Sequence, residues 1–269
     1  MGARPDITAW RPHVEGIDEV FHAHFADHTY PMHTHDAWTL LIVDEGMVRY
    51  DLDHHEHGSA GSEVTLLPPH IPHNGGAATP EGFRKRVLYL NTTQLGADLA
   101  GRAVARPVLR DPLLRHRVHQ LHLALQHPGE ELEAQSRLAL VSERLRGHLG
   151  EEPAAFEVAD RRVAYALRDL LDERFVDGLT LREAAERLHT HHTHLVRAFG
   201  REFGIAPHQY VTGRRVDLAR RLLLGGMRVP EVAVSAGFYD QPHFSRHFKR
   251  VVGTSPGHYA RTGRGVPSI

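Results

Sequence analysis

The stretch "RVPEVAVSAGFYDQPHFSRHFKRVVGTSPGHYA", residues 228–260, narrows the possible folds more than any other part of the chain. Pro230 stands in the first turn of a helix, where its missing N–H costs little. Gly237 ends that helix as a left-handed cap, and Phe238 follows at once as a core plug. A second helix is expected from about Gln241 to Val251, with Phe244, Phe248 and Val251 as its buried stripe. Arg246, Lys249 and Arg250 fall outside that stripe. Two short helices joined by a glycine turn, the second apolar on one face and cationic on another, make a helix-turn-helix pattern.

The same unit occurs earlier in "LTLREAAERLHTHHTHLVRAFGREFG", residues 179–204. Thr180 and Glu183 form a capping box, Ala184, Ala185 and Leu188 face inward, and Leu195, Ala198, Phe199 and Phe203 line the second helix. Between the copies, "PHQYVTGRRVDLARRLLLGG" (207–226) reads as one long helix that fixes their separation. Charge follows the same division. Residues 1–160 carry 14 basic and 23 acidic groups, a balance of −9, whereas residues 161–269 carry 18 and 10, a balance of +8. A basic carboxy-terminal part beside an acidic amino-terminal part suits contact with a polyanion.

Val229, Val232, Ala233, Gly237, Phe238, Phe244, Arg246, Phe248, Lys249, Gly253, Pro256 and Tyr259 fall on the spacing of the AraC/XylS signature, and the chain resembles that family of bacterial transcription regulators. The family pattern has Arg directly after the tyrosine; here Ala260 stands before Arg261. The resemblance implies that double-stranded DNA is the partner, with both second helices entering successive major grooves. The contact residues it implies are His192, Thr193, Val196 and Arg197 in the first unit, and Gln241, Pro242, His243 and Arg246 in the second. Arg197 and Arg246 suit guanine, Gln241 adenine and Val196 a thymine methyl, while phosphate contacts by the arginines stay open. The remaining histidines of the cluster, His189, His191 and His194, are expected to be solvated or to face phosphates.

Upstream the texture is different. "AWTLLIV" (37–43), "MVRYDL" (47–52), "EVTLLP" (63–68) and "RKRVLYL" (84–90) read as short strands, separated by turn clusters at 44–46, 57–62 and 68–82. This pattern predicts a small antiparallel barrel or sandwich. After Pro112, Leu114, Val118, Leu121 and Leu125 recur at helical spacing, and Leu138, Val141, Leu145 and Leu149 repeat it beyond Pro128-Gly129. The expected fold class is α+β, and the resemblance to AraC-like regulators implies a cupin-like barrel over residues 1–110, a helical hairpin for dimerisation over 111–150, a linker over 151–160, and an all-α domain with two helix-turn-helix units over 161–269. Leu114, Val118, Leu121 and Leu125 are the expected homodimer face.

The chain holds 24 histidines and no cysteine. Thiolate chemistry and disulfides are excluded, and no serine stands in a nucleophile-elbow setting, so an enzyme of that kind is not expected. Nothing approaches a membrane span, and "MGARPDITAW" lacks the apolar core of a secretory signal, so a cytoplasmic address is the expectation. "HTHDAWTLLIVDEG" (33–46) and "GSEVTLLPPHIPHN" (61–74) resemble, in order and distance, the two histidine motifs of cupins, which often form the sensor of AraC-like regulators. The resemblance makes His33, His35 and His73 candidate ligands for a divalent metal, Zn, Ni, Cu or Fe. Thr39 stands where metal-bearing cupins place a carboxylate or amide. Met32, Trp38, Leu40, Leu66 and Tyr89 are the candidate walls of a pocket for a small organic effector, and His22 and His24 are expected to face the same interior. The expected function is a transcription regulator that senses an organic effector or a metal; activator and repressor both stay open, and RNA polymerase is a partner in the activator case. The competing reading is a cupin-type dioxygenase or isomerase with an appended DNA-binding domain.

Overall fold

The computed structural model describes residues 6–26, 28–150 and 158–262. The chain forms two compact units, one of residues 1–125 with 140–154 and one of residues 126–139 with 155–269. Of the expected linker 151–160, the part up to residue 157 lies outside the described residues.

The first unit contains β1 (Asp6–Trp10), β2 (Ile17–Phe25), β3 (Thr29–His33), β4 (Trp38–Leu52), β5 (His55–Ala60), β6 (Val64–Leu67), β7 (His73–Ala77), β8 (Phe83–Leu90) and β9 (Val108–Leu109). Its helices are α1 (Ala100–Ala105), α2 (Pro112–Leu125) and the later part of α3 (Glu131–His148). All pairings are antiparallel, in one run β1-β2-β8-β4-β6-β9 and a second in which β3 pairs β7 and both β5 and β7 pair β4.

Strand β4 belongs to both runs because it bends. Gly46 sits at the bend with φ +74°, and a Cβ there would lie 2.1 Å from the carbonyl oxygen of Gly82, so only glycine fits. The two strands expected at 37–43 and 47–52 are therefore one strand without a turn at 44–46. The reversal comes later, at Asp53 and His54, whose φ values of 46° and 66° give the twist a two-residue hairpin needs. The clusters expected as turns at 57–62 and 68–82 hold most of β5 and all of β7.

The pleat separates two buried faces. Ala23, Phe25, Val43, Leu67 and Phe83 pack against Val48, Tyr50 and Leu52 on the inner face. Trp38, Leu40, Ile42, Leu66 and Leu88 are buried on the other face, which meets α2. Arg86, in register with His22 and Ile42, donates to His119 Nδ1 at 2.9 Å, and His22 Nε2 lies 3.1 Å from His122 Nδ1. His22 and, by alternation, His24 thus point away from the interior expected for them. Asp111 caps α2 by accepting the N–H groups of Leu113 and Leu114 at 3.1 Å, and it pairs with Arg144 and with His148 at 2.6 Å. Leu114, Val118 and Leu121, expected on a dimer face, are wholly buried within the chain; Leu113 and Leu123 point outward instead.

The second unit contains the beginning of α3 with α4 (Val158–Arg174), α5 (Leu181–Arg187), α6 (His192–Phe203), α7 (Pro207–Leu224), α8 (Val229–Ser235), α9 (Gln241–Val252) and α10 (Pro256–Thr262). The expected capping box of Thr180 and Glu183 opens α5. Gly237 adopts φ +80° and lies so close to Val176 that a Cβ would sit 2.4 Å from its carbonyl oxygen. Each helix-turn-helix has its own core. Leu167, Leu171, Leu195, Phe199 and Val211 form one; Val216, Leu223, Val232, Phe238, Phe244 and Phe248 form the other. Helix α7 supplies Val211 to the first and Val216, Ala219 and Leu223 to the second. Val251 does not join the stripe on α9 and is exposed. Among the described residues no helix is long and apolar enough to cross a membrane.

Candidate functional site

Helices α6 and α9 carry the residues expected to meet DNA, and the structure sorts them by exposure. On α9, Gln241, Pro242 and Arg246 are exposed together with Lys249 and Arg250. Asp240 starts this helix by accepting the His243 N–H at 2.6 Å. On α6, His192 and Arg197 are half-buried, with the Arg197 guanidinium 3.0 Å from His194 Nδ1. Three expected contacts are withdrawn from solvent. Val196 is 1% exposed and Thr193 9%, because both lie at the edge of the apolar stripe of Leu195 and Phe199. His243 is 4% exposed and accepts the Tyr239 N–H through Nδ1 at 3.1 Å.

Arg246 is not free. Its guanidinium donates to Glu130 Oε1 at 2.8 Å, and His247 Nε2 lies 2.6 Å from the same oxygen. His243 Nε2 stands 3.7 Å from it, and Arg250 approaches Glu133 at 3.9 Å. These donors hold the Glu130 carboxyl well below the usual carboxylate range, against the desolvation of its burial. The sequence offered no local signal for this arrangement, since Glu130 and Arg246 lie 116 residues apart.

Glu130, His243 and His247 bring three donor atoms together, but the protons are placed wrongly for a cation. A backbone N–H donates to Nδ1 of His243, and the Arg250 guanidinium donates to Nδ1 of His247 at 2.7 Å. A neutral ring that accepts at Nδ1 carries its proton on Nε2, so both rings present N–H groups toward the carboxylate.

The opposite holds in the first unit. His33 ends β3 in register with His73 at the start of β7, and His35 follows in the connection to β4. Their ring centroids lie 4.6–5.1 Å apart, and one ligand atom from each ring falls within 4.8 Å of the others. His33 Nδ1 is 2.7 Å from the Pro31 carbonyl oxygen and His73 Nδ1 is 3.0 Å from that of Ile71. A carbonyl only accepts, so these Nδ1 atoms carry the protons and each Nε2 keeps a lone pair. His33 Nε2 and His35 Nε2 are 3.2 Å apart. Burial, then the neighbouring His73 and His33 and Lys85, lowers His35 to about 4, and burial lowers His73 as well. His35 and His73 are thus held neutral, which is the form that ligates metals.

The pocket walls expected from sequence divide by pleat. Tyr89 lies beside the trio, its ring centroid 4.9 Å from that of His35. Trp38, Leu40 and Leu66 occupy the opposite, helix-facing side, and Met32 is 57% exposed. Thr39, in register with Tyr89, is the β4 residue that faces inward here. Sequence reading missed Lys85, on the same side as Tyr89 by alternation along β8, with Nζ 4.1 Å from the Tyr30 ring centroid. Burial lowers its ammonium to about 8.

The comparisons agree with this division. The AraC-like ligand binding domain family matches residues 17–141, and the helix-turn-helix domain family matches residues 184–262. The HTH-type transcriptional regulator YisR of Bacillus subtilis is 24% identical over 84% of this chain and 86% of its own length. The virulence regulon transcriptional activator VirF of Yersinia enterocolitica is 30% identical over 45% of this chain and 41% of its own. Among solved structures, the AraC-like transcriptional activator CuxR is 16% identical, covering 86% of this chain and 85% of that one at a TM-score of 0.45. With a ligand-binding family on its sheet unit and a helix-turn-helix family on its helical unit, this chain belongs to the AraC-type DNA-binding transcriptional regulators.

Proposed function

We propose that this regulator couples promoter binding to a divalent transition metal, Zn, Ni, Cu or Fe, held by His33, His35 and His73 in a cupin-like barrel. The observation that carries the reading is the tautomer pattern. Two backbone carbonyls take the Nδ1 protons of His33 and His73, and Nε2 lone pairs are left beside the Nε2 of His35. Outer hydrogen bonds of this kind orient histidine ligands in metal sites. Three imidazoles leave a position open for a further oxygen or nitrogen donor. A divalent ion held by these three residues would supply Lewis acidity toward such a donor on an effector.

In the same reading the protein acts in the cytoplasm as a homodimer and, like VirF by its name, as an activator working with RNA polymerase. Arg197, Arg246, Gln241 and Pro242 meet DNA, and His192 lies at the edge of that surface. Elemental analysis of untagged protein, purified without added metal, tests the metal reading beside a His33→Ala/His35→Ala variant. Near-stoichiometric metal in the parent and its loss in the variant are expected. No metal in the parent, even after incubation with zinc and nickel, defeats the reading.

A further inference from the structure

Strand β8 reads "FRKRVLYL" and carries three consecutive cations. Two of them have acidic partners: Arg84 pairs with Glu45 at 3.6 Å, and Arg86 forms two hydrogen bonds to Asp44, at 2.7 and 2.6 Å. The pleat turns Lys85, between them, to the other side. Its cross-strand neighbours there are Ala23 and Val43, both part of the inner core. Among the described residues no carboxylate forms an ion pair with it. Aromatic faces surround the ammonium instead, with Nζ 4.1 Å from the Tyr30 ring centroid and 5.8 Å from those of Phe21 and Phe83.

A desolvated charge is kept in a fold only when something compensates it. Cation–π contacts compensate part, and the rest is open to a ligand. The same lining holds polar atoms that also lack partners. The Tyr30 hydroxyl and the Thr39 hydroxyl are buried with no hydrogen bond, and Thr39 is on the inner face in register with Leu67 and Tyr89. Tyr30 further connects Lys85 to the histidines, its ring centroid lying 5.9 Å from that of His33.

From this arrangement we propose that Lys85 is the counter-charge for an effector of the organic monocarboxylate class, bound between the two strand runs with its carboxylate on the Lys85 ammonium and its apolar body against Phe21, Tyr30 and Phe83. One ammonium and neutral hydroxyls match a single negative charge, whereas phosphate groups are recognised by several cationic or backbone N–H donors at once. The site does not depend on metal in the histidine trio. With metal present, the carboxylate lies one aromatic ring away from it.

The test is isothermal titration calorimetry of the full chain, both chelator-treated and zinc-loaded, with benzoate and hexanoate against benzamide and hexanamide. Lys85→Met keeps the aliphatic length and removes the charge. At least one carboxylate binds, its amide binds at least tenfold more weakly, and the variant loses that preference while keeping the zinc content of the parent. The proposal is overturned when acid and amide bind alike, when Lys85→Met binds the acid as tightly as the parent, or when neither acid binds in either metal state. A parent that takes up no zinc but keeps the Lys85-dependent preference defeats the metal reading alone and leaves this one standing.

Discussion

Which ring nitrogen carries the proton decides what each histidine does in this molecule. His33 and His73 donate through Nδ1 to carbonyls, while His243 and His247 accept at Nδ1 and aim N–H groups at Glu130. In the proposed reading, in which Arg246 meets DNA, Glu130 competes for its guanidinium. Replacing it with Gln removes the charge, and DNA affinity is expected to rise about tenfold, the worth of one charge-assisted hydrogen bond of ~1.5 kcal/mol. An electrophoretic titration of Glu130→Gln beside Arg246→Ala checks this; unchanged affinity in the first would remove Glu130 as a competitor. Other buried histidines set an acid limit. Burial, the largest influence on each, lowers His22 and His243 to about 4 and His208 to about 3, and it lowers His122 well below its ordinary value. Their unfolded values lie near ~6.5, so the unfolded chain binds more protons below that pH. Stability should rise with pH from about 4 to about 6.5 and level off above. Urea midpoints at pH 5 and 7.5 measure it, and equal midpoints would contradict the burial of these rings.

At the scale of elements, the bend of β4 is the most sensitive point. Gly46→Ala forces a Cβ toward the Gly82 carbonyl at a positive φ, and a loss of about 1–3 kcal/mol is expected. A lower urea midpoint with unchanged slope would report it. A midpoint equal to that of the parent would mean that the bend relaxes without strain. The two helix-turn-helix units were legible in the sequence because their punctuation is chemical: Thr180 with Glu183, Pro230, Gly237 and Phe238 each do the one thing their residue type does well. The sheet was less legible. "WTLLIV" at 38–43 has no polar alternation, since both faces of β4 are buried, so nothing local says which residues face inward. Trp38 and Leu40 read as inward-facing for that reason, whereas the residues on the inner face are Thr39 and, on β8, Lys85. Val196 reads as a DNA contact for a related cause, because an apolar residue at a stripe edge has the same signature whether it closes the core or touches a base.

For the whole molecule, the charge balance of −9 over residues 1–160 and +8 over 161–269 separates a sensing part from a part that can approach a polyanion. Helix α7, with 18 residues shared between the cores of both helix-turn-helix units, fixes how far apart their second helices lie. Its length is about 27 Å at ~1.5 Å per residue, a little under the ~34 Å of one turn of duplex. Inserting about five base pairs between the two boxes of an operator turns them to opposite faces of the duplex, with about 10.5 base pairs per turn. Binding to such a probe is expected to collapse, and binding should partly return when about ten are inserted only if the helix yields. If both units hold their boxes at once, the promoters under this regulator tolerate substitution within each box better than insertion or deletion between them.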